Sequence, residues 1–134
     1  MTQLRVREAA TLLGVSEDTV RRWIARGRLT ATTDGAGRTV LPGAEVARLA
    51  REQAQVPEAE QGSRSSARNR FTGLVTAVTR DTVMAQVELQ CGPFRVVSLM
   101  SSEAVDELGL EPGSVATAVV KATTVVVEAA SGTA

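Results

Sequence analysis

The stretch VREAATLLGVSEDTVRRWIARGRL, residues 6–29, decides the fold of the first half of the chain. Its apolar residues recur three and four positions apart before Gly14, which predicts a short helix with one side packed against a core. Ser16 then follows a tight turn and is a favourable N-cap, with Glu17 and Asp18 in the first turn of a second helix. Two short helices joined by a glycine-containing turn are typical of a helix-turn-helix.

The second predicted helix has an apolar side and a basic side. Val20, Trp23 and Ile24 recur at helical spacing and are predicted to pack inward, as is Leu29 after the helix. The opposite side is rich in arginine, whose guanidinium group neutralises a phosphate or bridges a guanine edge. The outward residues are Thr19, Arg21, Arg22 and Arg26.

A hairpin and a third helix are predicted after Gly27. Residues 29–41 read as two short strands around the tip at residues 34–37, where two glycines supply the positive φ that a tight turn needs. Pro42 then opens a helix predicted over residues 44–51. The apolar positions of this helix are Val46, Ala47, Leu49 and Ala50.

This order of helix, turn, helix, hairpin and helix resembles the winged-helix DNA-binding domain of the MerR and excisionase families. The resemblance implies that the second helix enters the major groove of double-stranded DNA and that the hairpin, as a wing, reaches the neighbouring backbone or minor groove through Arg38. Pairs such as Glu17 with Arg21 are also consistent with ordinary surface ion pairs. The predicted DNA-binding residues are Ser16, Thr19, Arg21, Arg22, Arg26 and Arg38.

The net charge of zero conceals two halves of opposite sign. Residues 1–53 carry nine arginines against six acidic residues, whereas residues 68–134 carry four arginines and one lysine against seven acidic residues. The segment between them lacks a periodic apolar pattern. We therefore predict an α+β protein of two domains, residues 1–53 and 66–134, joined by a flexible linker at residues 54–65.

Beyond Arg68 the apolar period changes from helical to alternating, which indicates half-buried strands. One short helix is predicted at residues 101–108, closed by Gly109. Together these elements predict a small five-stranded OB-like β-barrel. Its predicted strands are residues 71–78, 83–90, 94–100, 115–121 and 124–128.

Three motifs of the second half occur in a distinctive order. SARN (residues 66–69) stands at its start with Phe71 and Gly73 just after, SSEAVDELGL (residues 101–110) spans the helix, and VKAT (residues 120–123) precedes the last predicted strand. In this order they are similar to the Mop, or molbindin, domain of the TOBE group. The similarity implies that molybdate or tungstate binds at contacts between subunits of a homo-oligomer, either a dimer or a trimer of dimers. The residues it assigns to the oxyanion are Ser66, Arg68, Ser101, Lys121, Ala122 and Thr123.

The residue types suit a doubly negative tetrahedral oxyanion. Such an anion carries no proton at neutral pH, so its pocket needs only hydrogen-bond donors and cations. Lys121 is the single lysine beside fourteen arginines, and a compact ammonium directs its charge at one oxygen without a planar fork. A solvated strand-end cation is the alternative for Lys121, and a simple helix cap is the alternative for Ser101. Ala104 and Ala122 stand where Mop relatives often have serine, which leaves only backbone donors there.

Composition restricts the remaining functions of this chain of 134 residues. No histidine occurs, which excludes imidazole bases and nearly every zinc or copper site, and we do not expect an enzyme. Cys91 has no second cysteine to pair with, and no apolar run approaches the roughly 20 residues that cross a bilayer. We therefore expect a cytoplasmic protein without a membrane partner.

The two halves together predict a molybdate-binding, DNA-binding transcriptional regulator. In this interpretation, oxyanion capture between subunits changes how the N-terminal domains are placed on DNA. One alternative is a cytoplasmic oligomer that stores or buffers molybdate and uses the helix-turn-helix only as an accessory. Another is a DNA-architectural, excisionase-like factor whose barrel only oligomerises.

Overall fold

The computed structural model describes residues 2–54 and 65–130 of the chain. These residues fall into two compact units, one within residues 1–55 and one within residues 56–134. The predicted linker, residues 54–65, lies outside the described residues except at its two ends. The predicted domain boundaries therefore stay a prediction.

Within residues 2–54, the first unit contains three helices and three short strands. They are β1 (Gln3–Arg5), α1 (Val6–Leu13), α2 (Glu17–Ala25), β2 (Thr32–Thr33), β3 (Thr39–Pro42) and α3 (Gly43–Gln53). The strands form an antiparallel sheet in the order β1-β3-β2, in which β2 and β3 are the arms of a hairpin. The longest helix in the described parts of the chain, α3, has 11 residues, and none provides the long apolar run that crossing a membrane requires.

The predicted helix-turn-helix is confirmed in position and packing. Ser16 is the N-cap of α2, and its Oγ accepts the Thr19 N–H at 3.1 Å. Val20 and Leu29 are buried as predicted, and Trp23 packs half-buried against the same core. This core joins all three helices of the unit to β3. Its buried residues are Val6, Ala9, Ala10, Val20, Leu29, Leu41, Val46 and Leu49.

Two details of the first unit differ from the prediction. Strand β1 was not predicted, because three residues are too few to show an alternating pattern, and pairing with β3 is what orders them. The third helix extends beyond the predicted residues 44–51 at both ends, and its apolar Ala47 faces solvent rather than the core.

Within residues 65–130, the second unit contains four strands and one α-helix. They are β4 (Asn69–Arg80), β5 (Met84–Cys91), β6 (Phe94–Ser101), α4 (Ser102–Leu108) and β7 (Val115–Val120). The strands form an antiparallel sheet in the order β6-β5-β4-β7. The long β4 pairs with β7 along its first half and with β5 along its second half. Side chains from β4, β5 and α4 fill the core, namely Val75, Ala85, Val87, Leu89, Cys91 and Val105.

The predicted fifth strand, residues 124–128, is wrong for the single chain. Ala122–Thr124 forms a 3₁₀ turn, and residues 125–130 are neither helix nor strand. β-Branched residues favour a strand, but a strand also needs a neighbour to pair with, and none among the described residues pairs with this segment. Val126 and Val127 are each 86% exposed as a result. Val83, predicted to begin the second strand inward, likewise lies in the turn before β5 and is exposed.

Helix α4 is fastened to the turn between β4 and β5. The buried Ser102 donates its hydroxyl to the Asp81 carbonyl oxygen at 2.6 Å. The Arg80 guanidinium donates to both carboxylate oxygens of Asp106, at 2.8 and 3.0 Å. The start of α4, with its N-cap Ser101, is therefore fixed at the Arg80 end of β4.

Acid is expected to weaken the second unit through two aspartates. The side-chain hydrogen bond from Arg80 lowers the pKa of Asp106 below its ordinary 3.8, and the backbone N–H groups of Met84 and Val83 lower the pKa of Asp81. A carboxylate with a lowered folded pKa stabilises the fold above its ordinary pKa, and this contribution is lost as pH falls through the folded value. We expect the thermal midpoint to be level from pH 7 to about 5 and to fall below about 4.

The variant Asp81→Asn separates titration from hydrogen bonding in this experiment. Its amide oxygen still accepts from both backbone N–H groups but cannot be protonated. The variant should therefore lose less of its thermal midpoint between pH 5 and pH 3 than the wild type. An equal loss in both proteins would contradict the assignment of acid sensitivity to Asp81.

Candidate functional site

The pairing of β4 with β7 brings two distant motifs together. Asn69 lies opposite Val120, 51 residues away in the sequence, and its Nδ2 donates to the Val120 carbonyl oxygen at 3.1 Å. Arg68 directly precedes β4 and Lys121 directly follows β7, so the two residues are neighbours just beyond this last pair of the ladder. The SARN and VKAT motifs therefore meet at one end of the sheet.

The backbone before β4 keeps Ser66 and Arg68 exposed. Ala67 between them is buried, and its N–H donates to Ser65 Oγ at 3.1 Å. Arg68 Nη1 donates to the Ser66 carbonyl oxygen at 3.1 Å. The Ser66 hydroxyl and the remaining N–H groups of Arg68 are therefore directed to solvent, where a ligand can accept from them.

The chain after β7 presents further donors beside Lys121. The Lys121 carbonyl oxygen accepts the N–H of Thr124 at 3.0 Å and its hydroxyl at 2.9 Å, which closes the 3₁₀ turn. The first N–H groups of such a turn have no partner within it. Ala122 and Thr123, both exposed, thus add backbone donors, and Thr123 adds a hydroxyl.

These residues form a positive, donor-rich surface, and we call Ser66, Arg68 and residues 121–123 the cationic end of the sheet. Neither of its two cations forms an ion pair within residues 2–54 and 65–130. Like charges at neighbouring positions repel each other, and an anion placed between them replaces repulsion by attraction. The cationic end therefore has the chemistry of a receptor for an unprotonated oxyanion.

Ser101 does not lie at the cationic end. It is the last residue of β6, lies opposite Met84, and accepts the Ala104 N–H at 3.0 Å as the N-cap of α4. The strand register separates it from Arg68 along β4, whose 12 residues extend at most about 40 Å. Its own hydroxyl hydrogen remains able to donate, because capping uses the oxygen as an acceptor.

In the first unit, three of the predicted DNA-binding residues form one stripe along α2, in which Thr19 is half-buried and the two arginines are exposed. Thr19, Arg22 and Arg26 recur three and four residues apart along α2 and its C-cap, so they project to one side. Ser16 Oγ lies 3.0 Å from Thr19 Oγ1, which accepts Arg22 Nη2 at 2.9 Å. These hydrogen bonds hold Arg22 against the first turn of the helix.

The other two predicted arginines lie apart from that stripe. Arg21 projects to a different side of α2, where its guanidinium lies 3.7 Å from the Glu17 carboxylate. Arg38 is held in the hairpin by Asp34, which accepts its Nε at 3.1 Å and its backbone N–H at 2.9 Å. The backbone hydrogen bond from Arg38 is the main cause of the lowered pKa of Asp34, so this carboxylate stays ionised and keeps the arginine in place.

Two further arginines, Arg5 and Arg7, were not predicted as site residues. They line a concave region of about 600 Å³, which we call the basic cavity, between the start of α1, α2 and β3. The signal available in the sequence is that they flank Val6, the first apolar residue of the predicted helix. The lining residues are Arg5, Val6, Arg7, Glu8, Glu17, Arg21, Arg38 and Thr39.

Two known families match the chain, one in each half. A helix-turn-helix domain family matches residues 4–54, and the TOBE domain family matches residues 65–127. The two matched regions contain every residue that the sequence assigned to DNA or to the oxyanion.

The second comparison is with individual proteins. Molybdenum-pterin-binding protein 3 of Clostridium pasteurianum is 40% identical over 63 residues, which cover 46% of this chain and 93% of that protein. Molybdenum-pterin-binding protein 2 of the same organism matches with the same identity and coverage. The solved structure of a molybdate-binding protein from Sporomusa ovata is 31% identical, with a TM-score of 0.48, over 50% of this chain and 100% of that one. Less than half of this chain therefore spans nearly the whole of these curated relatives.

Proposed function

Since the chain belongs to the TOBE-domain family of the molybdenum-pterin-binding proteins and carries a helix-turn-helix domain before it, we propose that it is a DNA-binding transcriptional regulator that responds to molybdate. The second unit would bind the oxyanion, and the first would bind double-stranded DNA in the cytoplasm. The observation that carries the proposal is the strand register that places Arg68 beside Lys121.

The cationic end supplies the donors for molybdate. Arg68 and Lys121 offset its two negative charges, while Ser66, Ala122 and Thr123 donate from hydroxyl or backbone groups. Ala122 has no hydroxyl, so its contribution is limited to its backbone N–H. Tungstate, with the same charge and shape, fits the same donors.

We assign Ser101 to the same pocket through a second copy of the chain. Within one chain, Ser101 and the cationic end lie at opposite ends of β4. A contact between subunits is therefore the simplest way to bring both groups of donors to one anion. The exposed apolar side chains around residues 125–127 support such assembly, because they lack a partner within the described residues. In a dimer or a trimer of dimers, this segment would pair with a neighbour and supply the fifth strand of an OB-like barrel.

The first unit has the groups that double-stranded DNA requires. The stripe of Thr19, Arg22 and Arg26 would enter the major groove on α2, with Ser16 donating to a phosphate near the helix start. The hairpin would act as a wing that carries Arg38 to the adjacent backbone or minor groove. A single copy offers few phosphate contacts, so assembly would raise DNA affinity through avidity.

Molybdate and DNA are coupled if the anion favours one arrangement of the assembled chains. We expect native mass spectrometry to show an oligomer that gains oxyanions at its subunit contacts when molybdate is added. Saturating molybdate should then change the affinity of the full chain for its operator about tenfold, which is within the usual range of coupling energies. The operator for this measurement can be identified by selecting the genomic DNA fragments that bind to the purified protein.

Sulfate is the matched control, because it has the same charge and shape as molybdate but is smaller. It should bind more weakly and leave DNA affinity unchanged at the same concentration. Oxyanion binding without any change in DNA affinity would instead support a molybdate store or buffer. Absence of oxyanion binding would reject the proposed ligand.

A further inference from the structure

The basic cavity carries more positive than negative charge. Four arginines and two glutamates line it. Glu17 pairs with Arg21 at 3.7 Å, and Glu8 accepts the backbone N–H of Arg5 at 3.1 Å. Among the described residues, neither the Arg5 nor the Arg7 guanidinium forms an ion pair. An anion in the cavity would therefore meet two uncompensated cations.

The fold fixes both of these arginines in place. Val6 between them is 8% exposed and belongs to the core, so its neighbours on either side project outward. Arg5 also lies opposite Val40 in the pairing of β1 with β3, and Val40 directly follows Arg38 and Thr39 in the chain. The burial of Val6 and the pairing of β1 with β3 thus hold the backbone of Arg5 and Arg7 in position.

From this geometry we propose that the basic cavity holds the sugar-phosphate backbone of DNA, so that Arg5 and Arg7 extend the DNA-binding surface to the start of α1. This inference rests on the proposed DNA-binding function. Arg38, which the proposed wing would carry to the DNA backbone, also lines the cavity, so a duplex bound in that way would pass its rim. Guanidinium groups match phosphate oxygens with paired hydrogen bonds.

The lining argues against a small apolar ligand. Pockets for such ligands are lined mainly by apolar and aromatic side chains, whereas here Val6 is the one apolar residue in the lining and its side chain is buried. A phosphate backbone is instead bound by several cations, and four arginines line this cavity. Phosphate contacts carry no base sequence, so Arg5 and Arg7 should strengthen binding to any duplex.

The test compares the full chain with the double variant Arg5→Ala/Arg7→Ala on a duplex of arbitrary sequence. Fluorescence anisotropy gives the binding constant at several salt concentrations between 50 and 200 mM. Each lost phosphate contact lowers the slope of log K against log salt by roughly 0.9, so the double variant should lose about 1.8. Affinity at the lowest salt should fall about tenfold.

Two control variants separate the possible explanations. Arg48→Ala/Arg51→Ala removes the same charge from α3, outside the cavity lining, and should keep the wild-type slope. Arg5→Lys/Arg7→Lys keeps both charges and should restore most of the slope. The Arg5 backbone N–H still reaches Glu8 in the alanine variant, so α1 should remain folded, which circular dichroism checks.

The outcomes distinguish this inference from the proposed function. A wild-type slope in the alanine variant, with DNA still bound, would overturn the role of the cavity and leave DNA binding intact. An equal loss of slope in the α3 control would show a general charge effect and also overturn it. A wild-type chain that binds no duplex at any salt would overturn both.

Discussion

Replacing Arg68 and Lys121 together by alanine is expected to reduce molybdate affinity about 100-fold or more, because hydrogen bonds to a charged group contribute roughly 1.5–3 kcal/mol each. The variant removes both positive charges of the cationic end and leaves only neutral donors for a doubly negative anion. Both side chains are exposed, so the fold should survive the change. Isothermal titration calorimetry with molybdate measures the loss, and thermal unfolding checks the fold.

Two further variants test which property of the cations matters. Arg48→Ala/Arg51→Ala removes an equal charge from α3 in the first unit and should leave molybdate affinity unchanged. Lys121→Arg retains the charge but replaces a compact ammonium by a planar fork, and should weaken binding less than Lys121→Ala. Unchanged affinity in Arg68→Ala/Lys121→Ala would remove the cationic end from the proposed site.

The resemblance assigns the residues of the cationic end to one oxyanion at a subunit contact, but the sequence does not show that Arg68 and Lys121 are neighbours within one chain. That depends on strand register, which is determined by the side chains that the sheet buries and by the turns between strands. The pairing of Asn69 with Val120 supplies that register. For Ser101, the capping role is predictable from the neighbouring residues alone. Its separation from the other predicted donors is not, because it depends on the whole length of β4.

Local signals account for most of what was predicted in the first unit. Periodic apolar residues, the Ser16 cap and glycines in the turns each act over a few neighbouring residues. They can therefore be recognised in a single sequence. Strand β1 was not predictable in this way, because it forms by pairing with β3, which lies far along the chain. The prediction of a strand at residues 124–128 is wrong for a related reason. Apolar β-branched residues indicate a tendency to form a strand, but they do not indicate which chain provides the strand that pairs with it.

Gly73→Ala is expected to destabilise the second unit by roughly 3 kcal/mol or more, at the upper end of the range for overpacked sites. An added Cβ would lie 2.2 Å from the Gln90 carbonyl oxygen and 2.8 Å from both Cα and Sγ of Cys91. Two of these atoms are backbone, so no side-chain rotation relieves the contact. β4 would have to move away from the end of β5, where Leu74 pairs with Gln90.

The chain offers a separate probe for each unit in this experiment. Trp23 is the single tryptophan and reports on the first unit, while Cys91 is the single cysteine, buried in the second. In urea at constant protein concentration, Gly73→Ala should expose Cys91 to a thiol reagent at a much lower urea concentration and leave the Trp23 fluorescence midpoint unchanged.

Gly35→Ala is the matched control for that variant. Gly35 has nothing within 4 Å of its added Cβ, and the prediction of a positive φ at both glycines of the hairpin tip is wrong for Gly35, since only Gly37 adopts one. The free energy of unfolding of each unit should therefore stay within about 0.5 kcal/mol of the wild type. Because β4 also carries the Asn69 contact to β7, displacement at Gly73 should disturb Arg68 and weaken molybdate binding together with stability. Wild-type protection of Cys91 in Gly73→Ala would contradict the close approach of β4 to the end of β5.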